Sequence, residues 1–255
     1  VGVEGHAEGG KQMNDLNCLS YWFPKIRDAG LPVPVTCTVD MPKVAERDLY
    51  RTFDGLPLTN KSRPFFKRLR SAVRSIGLPC FLRSGHTSAK HDWKRSCYVQ
   101  DASRLESHVA AIMAYGEMCS LMGLPWGIWA VREYLPISPI AICPRYGDMP
   151  VCREFRMFVR DGDVICMHPY WPDEALVRGG ADVSCSRAFG MTDEEERDLR
   201  ILASRAGFAV GGNWSVDILY TTRGWFVTDM AEADKSFHWE GCKAAAPPLT
   251  ASGKG

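Results

Sequence analysis

The sequence predicts an α+β fold, and three observations carry that prediction. Apolar residues recur at helical spacing in four separated segments. Between them lie short apolar or alternating runs joined by tight turns, as in antiparallel hairpins. No regular strand–helix–strand alternation runs through the chain, which argues against a doubly wound parallel sheet. The 255 residues suffice for one large domain or two lobes with a real core.

In chain order, Asp15 is placed to cap a helix carrying Leu16, Leu19, Trp22, Phe23 and Ile26. Gly30 ends it, and Pro32 and Pro34 lead into an extended stretch from Val33 to Val39. Asn60 to Ile76 reads as an amphipathic helix with Phe65, Phe66, Leu69, Ala72, Val73 and Ile76 on one face. Arg63, Lys67, Arg68, Arg70 and Arg74 fill the rest without an acid, as a solvated face or as a patch for an anionic partner. Cys80 to Arg83 reads as a strand, followed by a polar loop, Ser84 to Asp92. Ser103 to Met122 reads as a long helix and Trp126 to Tyr134 as a strand. Glu154 to Val159 and Val164 to Tyr170 form a hairpin around an Asp-Gly turn. Thr192 opens a helix from Asp193 to Ala206, with acids in its first turn and arginines later, an order that suits the helix dipole. Two strands with a short turn between them follow, Asn213 to Tyr220 and Gly224 to Glu232.

Composition narrows the function. Hydrophobic content of 45% and charged content of 24% are those of an ordinary globular protein. A net charge of +1, from 31 basic and 30 acidic residues, lacks the basic excess of a dedicated nucleic-acid binder. The most apolar stretch, Val109 to Trp129, is broken by Glu117, three glycines and Pro125, which fits a buried helix and strand better than a membrane span. The Gly-rich, polar start lacks the apolar segment of a secretory signal, and ten scattered cysteines without a C-x-x-C pair read as free thiols, so a cytoplasmic location is expected. His238 and Cys242 form a lone H-x-x-x-C; with no second ligand pair visible, a metal is not expected there.

The candidate chemistry lies on the strands. Asp217 and Asp229 sit on adjacent strands, where two acids can hold a hard cation such as Mg²⁺, usually shared with phosphates. Arg156, between Phe155 and Met157, faces away from their apolar side, and needs either Glu154 or a phosphate as partner. There is no G-x-G-x-x-G opening a helix and no P-loop, so the common nucleotide folds are not expected. His86, His91 and His168 are candidate bases, without a nucleophile motif beside them.

Several segments in order resemble the ATP-grasp superfamily, and within it the cell division cycle 123 family and related bacterial and phage proteins of unassigned substrate. These are Asn17 to Lys25, Phe81 to Ser84 with Ser88 to Asp92, Trp129 to Leu135, Glu154-Phe155-Arg156-Met157-Phe158-Val159, Val216-Asp217 and Thr228-Asp229. The resemblance implies a two-lobed fold holding a nucleotide between two mainly antiparallel sheets. It places the N-terminal part and covering lobe at 15–134 and the C-terminal lobe at 135–243; the Gly- or Pro-rich residues outside them, 1–14 and 244–255, read as flexible tails. It implies that Arg83, Lys90 and Arg156 contact the ATP phosphates, with Lys90 and Arg156 catalytic. Arg132, Glu133, Tyr134 and Leu135 would form the hinge around adenine and ribose. Asp217, Asp229 and Glu232 would hold Mg²⁺. One departure stands out: the family places Asn two residues after the second Asp, and this chain has Ala231. Glu232 substitutes for it only if the strand turns there, since side chains alternate faces. The implied activity is an ATP- and Mg²⁺-dependent carboxylate–amine ligase that acts through an acyl-phosphate, with a peptide or protein as acceptor. The alternative is a non-catalytic, ATP-binding assembly factor of the cell division cycle 123 type, with the basic helix Asn60 to Ile76 as a partner surface. Nucleic-acid modification ranks last, and no membrane is involved.

Overall fold

The computed structural model describes residues 15–119, 124–182, 190–242 and 244. The tails expected at 1–14 and 244–255 lie outside them except for Ala244, as does the predicted end of the long helix from 120 to Met122. The chain is α+β, built around two four-stranded antiparallel sheets. The first has the order β1-β4-β2-β3, from Thr36–Asp40, Ile128–Glu133, Cys80–Ser84 and Tyr98–Val99. The second has the order β10-β9-β7-β8, from Gly224–Glu232, Asn213–Thr221, Glu154–Arg160 and Asp163–Pro169. A small hairpin, β5 (Ala141–Cys143) with β6 (Met149–Val151), lies between them in sequence.

Helices α2 (Lys43–Tyr50), α3 (Arg63–Ile76) and α4 (Leu105–Cys119) cover the first sheet. Phe65, Phe66, Leu69 and Val73 of α3 meet Leu82, Trp129 and Val131 in one buried cluster. Helix α2 has no counterpart in the sequence reading. Its inward face carries Asp48 between Ala45 and Leu49, so the apolar period is interrupted. That buried carboxylate accepts bonds from the amides and hydroxyls of Thr59 and Ser62, tying α2 to the start of α3. Burial works to raise its pKa, but the four donors outweigh it and hold the carboxyl below its usual range.

The second sheet packs against α1 (Leu19–Asp28) and α6 (Asp193–Val210). Leu19, Trp22, Phe23 and Ile26 of α1 are buried at helical spacing and share a cluster with Phe155, Met157, Val216 and Ile218. The helix starts later than the sequence suggested: Cys18 occupies the cap position, and the Asp15 carboxylate is instead 2.6 Å from His86 Nε2. Helix α6 lies close on β7, where a Cβ on Gly207 would stand 2.7 Å from Val159 Cγ2. Thr192 and Glu195 form a reciprocal capping box at its start, and Glu195 also takes a two-point contact from Arg153. The predicted hairpin turns at Asp161-Gly162, both at positive φ, which matches the strand twist. The short helix α5 (Asp173–Gly179) and the strands β3, β5 and β6 are too short to leave a periodic signal. Among the described residues, no helix is long and apolar enough to cross a membrane.

Two outcomes follow from these anchors. Asp48→Ala strands buried donors and should lower unfolding stability by about 2–3 kcal/mol in urea titration. Arg153 and the Thr192 cap hold the Glu195 carboxyl down at about 2, against an ordinary 4.5. A depressed folded-state pKa gives stability that is present above pH 4.5 and lost as pH falls toward 2. Glu195→Gln should therefore flatten the loss of thermal midpoint across that window.

Candidate functional site: a charged cleft between two sheets

The register of the second sheet builds the site. Arg156 on β7 pairs with Asp217 on β9, and Asp217 pairs with Asp229 on β10 after a bulge at Thr228. Phe155, Met157, Val216 and Ile218 point into the core. Alternation therefore sends Arg156 and Asp217 to the opposite, open face. The bulge shifts the phase of β10 so that Asp229 joins them, between the core residues Val227 and Met230.

These groups interlock. Arg156 donates two bonds to Asp217, Nε to Oδ1 at 2.8 Å and Nη2 to Oδ2 at 2.9 Å. Arg83, buried on β2, reaches across from the first sheet to Asp229 at 2.8 Å. Lys90 donates to the buried Glu154 at 3.3 Å. Tyr170 lies beneath both cations, its ring centre 4.4 Å from Lys90 Nζ and 4.7 Å from Arg156 Cζ. Arg132 donates to the backbone oxygen of Thr228 at 2.6 Å and to Thr36 Oγ1, joining the sheets without an acid.

The pKa shifts report the same arrangement. Burial would lower Lys90 and Arg156, but Glu154 and Asp217 respectively outweigh it and hold both cations charged, with pKa values raised. Burial would raise Asp229, but Arg83, with Arg132 and Lys90, keeps it below the usual carboxylate range. Burial pulls Arg132 down to about 9, reinforced by Arg83, and its Nη2 has no hydrogen-bond partner. Burial leaves Glu154 raised despite Lys90.

A cleft of about 770 Å³, counting its open mouth, runs between the sheets. Of the sequence candidates it brings together Arg83, Lys90, Arg132, Glu133, Tyr134, Leu135 and Asp229 on its walls. Asp217 joins them through its register with Asp229, and Arg156 through its ion pair with Asp217. Glu133 stands at the rim with both carboxylate oxygens engaged, one by the Val35 amide at 2.9 Å and one by Arg223 at 2.9 Å.

Glu232 does not join this group. The strand continues through it, opposite Trp214, and its carboxylate accepts 2.7 Å from Asn17 Nδ2 at the start of α1. The position on the Asp229 side is Ala231, opposite Ser215. Nor does Arg156 pair with Glu154 as its structural partner. Asp217 takes that role from the next strand, because cross-strand neighbours stand closer than residues two apart on one strand. None of the three candidate histidines lines the cleft. His91 packs among Tyr115, Tyr146 and Trp171, His86 meets Asp15, and His168 lies on the edge strand β8.

Sequence reading missed the apolar walls: Phe81, Trp93, Met149, Trp171 and Leu219. Their only signal was Trp and Tyr beside the Lys90 loop and after β8. The Trp93 ring extends this wall, since it stacks on Tyr98 with centroids 5.5 Å apart and approaches Tyr134.

An open cleft between two antiparallel sheets, with cations reaching from one sheet to carboxylates on the other, defines the ATP-grasp class of domain. A family model described as an ATP-grasp domain, the third family of its clade, matches residues 74–234, and the chain belongs to that family. Among solved structures, Cdc123 from Schizosaccharomyces pombe is 13% identical over 85% of this chain and 83% of its own, with a TM-score of 0.54. A C-terminally truncated form of it, with the same coverage, gives 14% and 0.52. A RimK domain ATP-grasp protein from Sphaerobacter thermophilus is 16% identical over 85% of this chain and 59% of its own, with a TM-score of 0.47. At 13–14% identity the likeness to the two Cdc123 structures is one of fold. No curated protein matches the chain.

The buried ion pair yields a double-mutant test. Lys90→Met leaves Glu154 without its cation and should cost about 3 kcal/mol near neutral pH. That penalty should shrink as the pH falls and Glu154 takes up a proton. The Lys90→Met/Glu154→Gln pair should recover most of it, read by urea titration at two pH values.

Proposed function

We propose that the chain is an ATP- and Mg²⁺-dependent ligase that joins a carboxylate to an amine. The supporting observation is the row Arg156–Asp217–Asp229 on the open face of one sheet, met by Arg83 from the other. The donor set suits the group: two carboxylates in register can take one hard cation that also binds phosphate oxygens. Bound there, Mg²⁺ would neutralise charge on the phosphates. Arg83, Lys90 and Arg156 would then exchange their carboxylate partners for phosphate oxygens. Tyr134, Leu135 and the apolar wall would receive the base, and the unpartnered Nη2 of Arg132 would be one more donor.

In this reading a carboxylate oxygen of the substrate attacks the γ-phosphorus, and ADP leaves. An amine nitrogen then attacks the acyl carbon, phosphate leaves, and the nitrogen loses a proton. The contribution of the chain is positioning and charge neutralisation, which dominate phosphoryl transfer. Cations that stay charged despite burial, through their carboxylate partners, suit that role.

A second reading, an ATP-binding assembly factor without turnover, is favoured by one observation. Ala231 offers no ligand and Glu232 is held by Asn17, so on β9 and β10 the candidate metal ligands are the two carboxylates Asp217 and Asp229. Release of ADP in the presence of acceptors separates the two readings.

Calorimetry with ATP, with and without Mg²⁺, tests the shared premise. Wild type should bind with micromolar affinity and Mg²⁺ dependence. Asp217→Ala/Asp229→Ala should lose the Mg²⁺ dependence while keeping Mg²⁺-free binding, because Arg156 and Arg83 lose their carboxylates. No binding at millimolar ATP, or unchanged Mg²⁺ dependence in the variant, would overturn the proposal.

A further inference from the structure

The H-x-x-x-C of the sequence is not alone in the fold. Cys166 and His168 on β8 stand beside His238 and Cys242, and one ligand atom from each lies within 4.8 Å of all the others. Cys166 Sγ is 3.2 Å from His238 Nε2. Cys166 and His168 are two apart on a strand, so alternation brings both to one face. The second pair comes from the segment after β10. There Gly241, at φ 76°, turns the chain back, and the Cys242 amide bonds to the Trp239 oxygen at 3.3 Å. The sequence hid the set because its halves lie far apart, as the 72-residue separation of Cys166 and His238 shows.

We propose that these four side chains form a closed Cys₂His₂ site for a tetrahedral transition-metal ion, with zinc as the occupant. Two thiolates and two imidazoles are donors zinc prefers in structural sites. Zinc–sulfur and zinc–nitrogen bonds of about 2.3 and 2.0–2.1 Å put neighbouring donors about 3.3–3.8 Å apart. The observed cluster is within a small contraction of that. His168 Nε2 is an independent sign: it is buried and has no hydrogen-bond partner. A buried imidazole nitrogen of a residue in this cluster, with nothing to bond, is costly, and an ion would take its lone pair. On uptake both thiols give their protons to solvent, and two thiolates balance the charge of the ion.

Four protein donors leave no open position, so the role is to hold structure. Strand β8 is the edge of its sheet. The segment after β10 crosses the sheet face there: the His238 ring stacks on Phe158 at 3.9 Å, and Trp239 Nε1 donates to the Pro169 oxygen at 3.0 Å. Arg156 opposes His168 in register and donates to the Phe237 oxygen at 3.4 Å. The ion would therefore pin the wall beside Arg156, at the end of the charged row. This inference stands on the four ligands and does not depend on the ligase reading.

The full chain, purified from zinc-supplemented medium, would be assayed for metal by elemental mass spectrometry. The chelator-stripped, reduced protein would then be titrated with Co²⁺. One zinc per chain is expected, together with the intense visible bands of tetrahedral cobalt and a thiolate-to-metal charge-transfer band. Cys242→Ser and His168→Ala should each lower zinc to a small fraction and shift the cobalt spectrum, while Cys37→Ser on β1 should change neither. Circular dichroism confirms that each variant is folded; Cys242→Ser, at the end of the segment, serves if His168→Ala is not. Substoichiometric zinc with only octahedral cobalt bands, or zinc and cobalt spectra unchanged in Cys242→Ser, would overturn the site.

Discussion

Strand register in the second sheet is the constraint on which the rest of this structure depends. One alignment of β7, β9 and β10 puts Arg156 opposite Asp217 and Asp217 opposite Asp229. A slip of one residue would send the charges into the core and the apolar side chains into the cleft. The apolar cluster under α1 and α6 enforces the alignment, since Phe155, Met157, Val216 and Ile218 have only one buried face to occupy. The bulge at Thr228 supplies the one needed departure from regularity. It turns Asp229 to the charged face and exposes a backbone oxygen that Arg132 captures.

The charges across the cleft satisfy one another. Burying ions is expensive, and these are tolerated because Arg156, Arg83 and Lys90 each have a carboxylate within 3.3 Å. The same pairing would hold in neutralised form what the proposed phosphate site requires, acids for a cation and cations for phosphate. The sheets are linked as well, since Arg83 and Arg132 on the first reach Asp229 and the Thr228 oxygen on the second. Position and electrostatics are therefore one design: the groups that would read a nucleotide are those that hold the two halves in contact.

At the far edge of the sheet, the Cys and His residues of β8 and the segment after β10 continue the same row, with His168 opposite Arg156. The charged centre and the sulfur–imidazole cluster are thus two ends of one sheet face. Arg156 also donates to the Phe237 oxygen, next to His238 of the cluster.

Much of this was legible from the chain itself. Helical spacing located α1, α3, α4 and α6, and the Asp-Gly turn located the β7–β8 hairpin, because those signals are local and periodic. Asp217 and Asp229 stood out as two acids on adjacent strands, and Arg156 because a charge between core residues on a strand requires a partner. The identity of those partners was not legible. Asp217 in place of Glu154 for Arg156, and Asn17 for Glu232, are contacts between residues 61 and 215 positions apart. Helix α2 was hidden by a buried acid whose donors lie on another segment. The four-ligand cluster shows only its H-x-x-x-C half in sequence, because the other half lies on β8. Local pattern by itself determined which segments are helices and strands and which side chains must face away from the core. Only the tertiary structure decided what those side chains meet, because register and sheet order bring together groups that no sequence interval relates.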